Sequence, residues 1–303
     1  MTKQREAVVP RRVLVTGATG FIGTPVVDAL LARGAKVTAL CRNADRAEAW
    51  AKARPSRAGL GLMIADMAEL GAARLDELAA HDGIFHLAWA RLDAFKSQEH
   101  VDEILPRHLR FLAELVERGA RRLLAVGTCL EYGLAEGCLD EALPPRPCTA
   151  YGMAKDMLRR ELESLCAGRG VVFQWCRLFY MHGPGQAEKS LLSQLDRAIK
   201  AGADVFDMSG GEQERDYLPV GEVAELLVRV AAQDQVTGVV NCASGRPVTV
   251  RALVEEHLRR RGASLRLNLG RYPYPDYEPM RFWADTKKLA AALAAGDAQD
   301  LGR

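Results

Sequence analysis

Apolar positions along this chain fall into two alternating patterns. Short apolar runs near 12–16, 36–40, 61–65, 83–87 and 123–127 read as strands buried on both faces. Between them, helical spacing of apolar residues spans 22–33, 72–80 and 101–118, with Gly34 and Gly119 as stops for the first and last. Strand and helix alternating in this way predict an α/β fold, a doubly wound parallel sheet covered on both faces. Beyond these units the pattern is coarser. It predicts a Gly/Pro-marked loop at 183–189, a helix at 190–201, strands at 205–208, 239–242 and 265–269, and a basic-ended helix at 250–261. The prolines at 272–277 make an extended aromatic loop, and from 290 onward Ala, Gly and Asp dominate, so 296–303 is expected to be a loose tail.

The first strand runs directly into Thr16-Gly17-Ala18-Thr19-Gly20-Phe21-Ile22-Gly23 and then into a helix. Gly17 suits the tight turn, Gly20 lets a pyrophosphate approach the backbone, and Gly23 lets the helix lie close to the strand. The helix start aims its N–H groups and dipole at bound phosphates, so the loop, with Thr19, Phe21 and Ile22 along it, is a dinucleotide site. Later strand ends fall where such a ligand lies: Asp66 and Met67 beside the adenine, and Leu87, Ala88 and Trp89 along the cofactor chain. At the end of the second strand, Cys41 and Arg42 replace the carboxylate that holds the ribose hydroxyls of NAD. A cation there favours NADP over NAD, although Arg42 also reads as a solvated loop arginine. His86, inside an apolar strand, reads as a hydrogen-bonded core residue.

Charge and cysteine content narrow the function classes. The 303 residues carry 41 basic and 39 acidic side chains, a net +2, so no whole-chain field invites a nucleic acid polymer or an anionic membrane. No apolar run approaches membrane-spanning length, and the charged residues 1–12 hold no secretory apolar core, which points to the cytoplasm. Seven cysteines without a C-x-x-C pair suit free thiols, and no metal is implied.

The chemistry lies between residues 127 and 155. Thr128 follows the fifth strand, and Tyr151 and Lys155, four apart, share one face of a helix. A neighbouring ammonium would lower the phenol from its ordinary value near 10 and make Tyr151 a usable proton donor or acceptor. Thr128 would orient a carbonyl, and the three together suit proton transfer coupled to hydride transfer. Y-x-x-x-K pairs are also common on helix surfaces, where they are structural.

These residues resemble the extended short-chain dehydrogenase/reductases, the NAD-dependent epimerase/dehydratase family. The likeness rests on Thr16-Gly17-x-x-Gly20-x-x-Gly23, His86-Leu87-Ala88, Thr128-x-x-x-Tyr132-Gly133, Tyr151-x-x-x-Lys155, Arg177-x-Phe179-x-x-x-Gly183-Pro184 and Arg215-Asp216-Tyr217. It implies a dinucleotide-binding domain over 10–177, rejoined by 214–243, and a smaller lobe from 178–213 and 244–295 that covers a nucleotide sugar. Tyr180 stands where the family often has a substrate-contacting asparagine. Arg215 would meet the substrate diphosphate, or else pair structurally with Asp216. Cys129 and Leu130 replace the acidic pair of the family's dehydratases, which argues against dehydration. The narrower likeness is to NADP-dependent reductases of nucleotide-linked 4-keto-6-deoxyhexoses, acting as homodimers, with a proton from Tyr151. Alternatives are a C4 epimerase that keeps its cofactor, a carbon-acid route using Cys129, Glu131 or His182, and a dinucleotide-sensing protein without turnover.

Overall fold

Val13 and Val15 enter one apolar core and Leu14 another, so the first strand is buried on both sides and the molecule is layered around it. The structure, a computed structural model, describes the backbone of residues 11–300 and the side chains of 11–296. The basic start of the chain and residues 301–303 lie outside the described residues. In order, the elements are β1 (Arg12–Thr16), α1 (Gly23–Ala32), β2 (Lys36–Cys41), α2 (Ala44–Lys52), β3 (Leu60–Ile64), α3 (Ala72–Ala79), β4 (Gly83–His86), α4 (Leu105–Glu117) and β5 (Arg122–Thr128). Then come β6 (Gly137–Leu139), α5 (Ala150–Arg169), β7 (Val172–Leu178), β8 (Tyr180–His182), α6 (Leu191–Lys200), β9 (Val205–Asp207), β10 (Glu214–Pro219) and α7 (Val220–Ala231). The chain closes with β11 (Gly238–Cys242), β12 (Pro247–Thr249), α8 (Val250–Arg261), β13 (Arg266–Asn268), β14 (Phe282–Ala284) and α9 (Lys287–Asp300).

Seven strands form one parallel sheet in the order β11-β7-β5-β4-β1-β2-β3. The chain winds outward from β1 to β3, crosses back to β4 and winds the other way, so the order reverses between β1 and β4. A crevice at that switch point, outside the C-terminal strand ends, is where open α/β sheets bind ligands. Thr16 and His86 are paired in register there. Helices α1, α7 and α9 cover one face through Val26, Leu30, Val223, Leu227 and Leu289. Helices α3, α4 and α5 cover the other through Leu78, Phe111, Leu115, Leu158 and Leu162. The architecture is the doubly wound α/β fold that the alternation predicts.

A separate apolar cluster of Leu192, Leu195, Phe206, Met208, Val254 and Leu258 joins α6, β9 and α8 into a smaller lobe. Strand β14 pairs with β6 and carries the chain back against the sheet domain. Two local expectations change. Helix α2 occupies a stretch with no clear apolar period, because Asn43 caps it by accepting from the Arg46 N–H. The segment expected to be loose from 296 continues α9 to Asp300, extending the helix set up by the alanine-rich run before Gly296.

Candidate active site

The glycine loop is shaped by contact as well as by backbone angle. Gly17 has φ +70°, and a Cβ on it would sit 2.7 Å from the Ala88 backbone nitrogen, so β1 and β4 close on each other only around a glycine. A Cβ on Gly23 would lie 2.0 Å from the Gly17 carbonyl oxygen. Helix α1 therefore starts tight against the turn. It has no side-chain cap and no acidic residue in its first turn. The Thr24 and Val26 N–H groups already donate to the Gly20 and Ile22 carbonyls and Pro25 has none, so the N–H groups open to an anion are those of the turn from Phe21 to Gly23.

Beside this loop lies a cavity of about 550 Å³. Gly17, Thr19, Gly20, Phe21, Ile22, Gly23, Arg42, Asp66, Met67, Leu87, Ala88 and Trp89 all line it. It also takes in Asn43, Arg46, Ile104, Arg107 and His108, which the sequence reading misses. Arg46 lies on α2, a helix that the sequence reading does not predict, so nothing in the apolar pattern marks it. Arg107 and His108 reach the cavity only because α4 packs beside β4, and nothing local marks them. Arg42, Arg46 and Arg107 make no ion pair among the described residues, although most other arginines of the chain do. An uncapped helix start, a glycine cradle and three unpaired guanidiniums fit the phosphates of a dinucleotide.

Past Trp89 the cavity gives way to the chemical groups. Tyr151 and Lys155 sit on α5, whose first turn is capped by the Thr149 hydroxyl accepting from the Gly152 N–H. A Cβ on Gly152 would meet the Leu130 carbonyl oxygen at 2.7 Å, so glycine lets α5 close on the turn Cys129–Tyr132 that follows β5. The Tyr151 N–H donates to the Phe95 carbonyl at 2.9 Å, which fixes the phenol's origin. Its ring lies against His100 at 5.4 Å and Trp89 at 6.0 Å. Thr128 is the last residue of β5, is buried, and has its hydroxyl within reach of the phenol. The three groups are brought together.

The electrostatics differ from the expectation. Lys155 is 1% exposed, donates to the Val126 carbonyl at 2.7 Å and lies 4.2 Å from the centre of the Trp89 ring. Burial pulls its ammonium down to about 7, with Glu131 partly opposing. Tyr151 is not lowered toward neutrality. Burial first, then the charges of Glu131 and Cys129, push the phenol up, and the Thr128 hydroxyl only partly offsets them. In this site the lysine is spent on a backbone carbonyl, and the charge that governs the phenol is a carboxylate.

That carboxylate, Glu131, is fully buried. It accepts from the Thr128 N–H at 2.9 Å, from Trp175 Nε1 at 3.0 Å and from Arg177 Nε at 2.7 Å. It is therefore not a free base. Burial pushes the Cys129 thiol up, and the half-buried His182 is lowered by burial and by Arg260 and His257 of α8, the lobe's helix. Arg215 is 2% exposed and bonds Glu278 Oε2 at 3.1 Å as well as the Glu214 and Met280 carbonyls. Its carboxylate partner is thus Glu278 and not Asp216, the structural alternative to a diphosphate contact, which instead accepts from Ser244, Gly245 and Ala284. Tyr180 lies in the same group, and burial pushes its hydroxyl up, with Glu278 and Cys129 adding to the effect. The aromatic loop packs across the cleft: Tyr277 lies 4.8 Å from Phe95, and Lys96 bonds Asp276 at 2.8 Å. No helix among the described residues is long and apolar enough to cross a membrane.

Comparison with known proteins agrees with this geometry. A dTDP-6-deoxy-L-talose 4-dehydrogenase (NAD(P)(+)) of Kitasatospora kifunensis is 31% identical over 285 residues, covering 88% of this chain and 84% of that protein. A dTDP-6-deoxy-L-talose 4-dehydrogenase (NAD(+)) of Aggregatibacter actinomycetemcomitans is 25% identical over 274 residues, 89% of this chain and 98% of that protein. Among solved structures, a UDP-N-acetylglucosamine 4-epimerase from Methanobrevibacter ruminantium M1 superposes with a TM-score of 0.82 at 23% identity, over 93% of this chain and 92% of that one. The family model of the NAD dependent epimerase/dehydratase family matches residues 13–243. With its glycine loop, its switch-point cavity and its Thr128, Tyr151 and Lys155 in one site, the chain belongs to the NAD dependent epimerase/dehydratase family.

Proposed function

We propose that the chain is an NADP-dependent reductase of a nucleotide-linked 4-keto-6-deoxyhexose. The observation that carries this reading is that Tyr151 is the group at the Thr128 corner suited to moving a proton. The Glu131 oxygens are bonded to three donors, and the Cys129 thiol is buried and pushed up. Dehydration and carbon-acid epimerisation both need a further acid or base there, whereas carbonyl reduction needs one proton donor. The relatives named for talose dehydrogenation support the sugar class.

When bound, the dinucleotide supplies the hydride that reaches the carbonyl carbon. Tyr151 donates its hydroxyl proton to the carbonyl oxygen as the C=O π bond breaks, and the phenolate is reprotonated from solvent. A phenol held neutral by burial is in the right form to donate. Thr128 orients the oxygen, and Lys155, which carries its proton below about pH 7, supplies positive charge to that corner only in that range. Arg42, Arg46 and Arg107 would hold the cofactor's phosphates. Arg215 and Tyr180 are the candidates for substrate contact, with Arg215 exchanging Glu278 for a diphosphate oxygen.

The test is incubation of the protein with a dTDP-4-keto-6-deoxyhexose and stoichiometric NADPH, following both absorbance loss and sugar identity. Reduction consumes one NADPH per sugar. Sugar conversion without NADPH loss would establish the C4 epimerase reading, which the epimerase-like fold leaves open. Tyr151→Phe should fold and bind NADPH yet lose about 100-fold or more in rate, and a Phe variant of near-normal turnover would exclude Tyr151 as the donor.

A further inference from the structure

The motif Thr128-x-x-Glu131 forms a capping box at the end of β5, in which the Thr128 side chain accepts from the turn and Glu131 accepts from the Thr128 N–H. An ordinary capping box lies at a surface. This one is buried, and its carboxylate is wedged against the sheet: a Cβ on Gly127 would fall 2.1 Å from Trp175 Nε1 and 2.3 Å from Glu131 Oε1. Glycine at 127 makes room for both. Trp175 and Arg177 are alternate residues of β7 facing the same side, and both donate to Glu131. The Arg177 guanidinium also lies 4.4 Å from the centre of the Tyr132 ring.

We infer that Glu131, through its bonds to Thr128, Trp175 and Arg177, is a positioning residue for the Thr128, Tyr151 and Lys155 group. The inference rests on the reductase reading for its chemical meaning. Stability alone does not explain the arrangement, because burying an ion pair recovers little or nothing over an apolar packing of the same volume. What Glu131 adds is a fixed negative charge and a fixed threonine at the reacting corner. It holds Thr128 by the backbone, so the hydroxyl next to the phenol cannot drift.

Its charge also acts on both members of the pair, raising Tyr151 and opposing the fall of Lys155. The other groups facing Tyr151 are Cys129 from the turn after β5 and His100 from the turn before α4, while Lys155 of its own helix shares the Trp89 ring with it. Those facing Lys155 are His86 of β4 and His108 of α4, both neutral by burial. Glu131 is the carboxylate in this set. It adds to the burial that keeps the phenol in its protonated, donating form before substrate arrives.

Glu131→Gln keeps the shape and removes the charge, replacing one of the two acceptor oxygens by an NH2 group. Thermal melting and NADPH affinity report whether the fold and cofactor site survive. The deciding measurement is Lys155 ionisation in the free protein, followed by NMR of 13C-labelled lysine, each protein against its own Lys155→Met counterpart. The onset should move to lower pH by about one unit or more relative to wild type, and the alkaline limb of kcat/KM should move in the same direction. An unmoved onset in a folded Glu131→Gln protein overturns the inference. Should that variant fail to fold, Glu131→Gln/Arg177→Met removes both charges of the buried pair, should fold, and should show the same shift. Failure of both to fold would make Glu131 a purely structural residue and also overturn it. Because the lysine titration needs no turnover, absence of reductase activity would sink the proposed function and leave the Glu131 result standing.

Discussion

Lys155 pairs a legible position with an illegible charge state. The four-residue spacing from Tyr151 is plain in the sequence, but its bond to the Val126 carbonyl and its depression to about 7 come from burial that spacing cannot reveal. The depression has a signed consequence for stability. An unfolded lysine titrates near 10.4, so between about 7 and that value the unfolded chain carries a proton the folded chain lacks. Stability from this group is present above about pH 10.4 and is lost as pH falls toward 7, by up to about 1.4 kcal/mol per pH unit. Between about pH 7 and 8 it is not masked by thiols such as Cys166, pushed up to about 12 by burial, whose effect begins near 8.5. Urea denaturation across that window should show wild type gaining stability with pH and Lys155→Met gaining less. Equal slopes would mean that Lys155 is charged in the folded protein. Arg42 makes the complementary case, since the missing carboxylate at Cys41 is readable and its neighbour Arg46 is not. NADPH should bind more tightly than NADH by roughly 1 to 3 kcal/mol, and Arg42→Ala and Arg46→Ala should each erode that preference with little effect on NADH. Equal weakening of both cofactors would assign the arginines to structure.

At the scale of elements, what could be read was whatever carries its own period or its own glycine. Strand β1, the loop and α1 were legible because three glycines in eight residues leave few other readings, and the contacts give the reason in distances. A Cβ at Gly23 would need the α1 start to back away from the Gly17 carbonyl. Gly23→Ala should therefore cost both stability and cofactor affinity, whereas Gly34→Ala, at φ +77° with open space around it, should cost stability alone. Dinucleotide binding measured by fluorescence, alongside thermal melting, separates the two, and intact binding in Gly23→Ala would show that the helix start is not the phosphate site. Helix α2 was missed because a cap rather than an apolar stripe defines it. The turn Cys129–Tyr132 carried a readable signal in Thr128-x-x-Glu131, but such boxes ordinarily lie in solvent, so its burial under Trp175 and Arg177 had to come from the packing of β5 on β7.

For the whole molecule, the layered sheet was legible from alternation, while the side chains that fill the switch point were not. His86 reads correctly as a core residue, but its partners, Thr16 at 2.9 Å and His108 at 2.7 Å, come from elements far apart in sequence. This buried chain makes the folded protein resist protonation. Burial and the charge of Lys155 hold His108 down to about 3, His86 is depressed well below its ordinary range by burial and His108, and His81, His100 and His182 are lowered mainly by burial. Unfolded imidazoles take up protons near 6.5, so below that value the unfolded state binds protons the folded state refuses. Stability should fall as pH drops from about 6.5 toward 4, by up to about 1.4 kcal/mol per pH unit for each imidazole that stays neutral. His108→Gln removes one of these groups and should flatten the acid limb of the stability profile by about one proton, while leaving in place the difference in slope that Lys155→Met makes between about pH 7 and 8. An acid limb of unchanged slope in that variant would mean that His108 is already protonated in the folded protein and that the Thr16, His86 and His108 chain is wetter than its burial indicates.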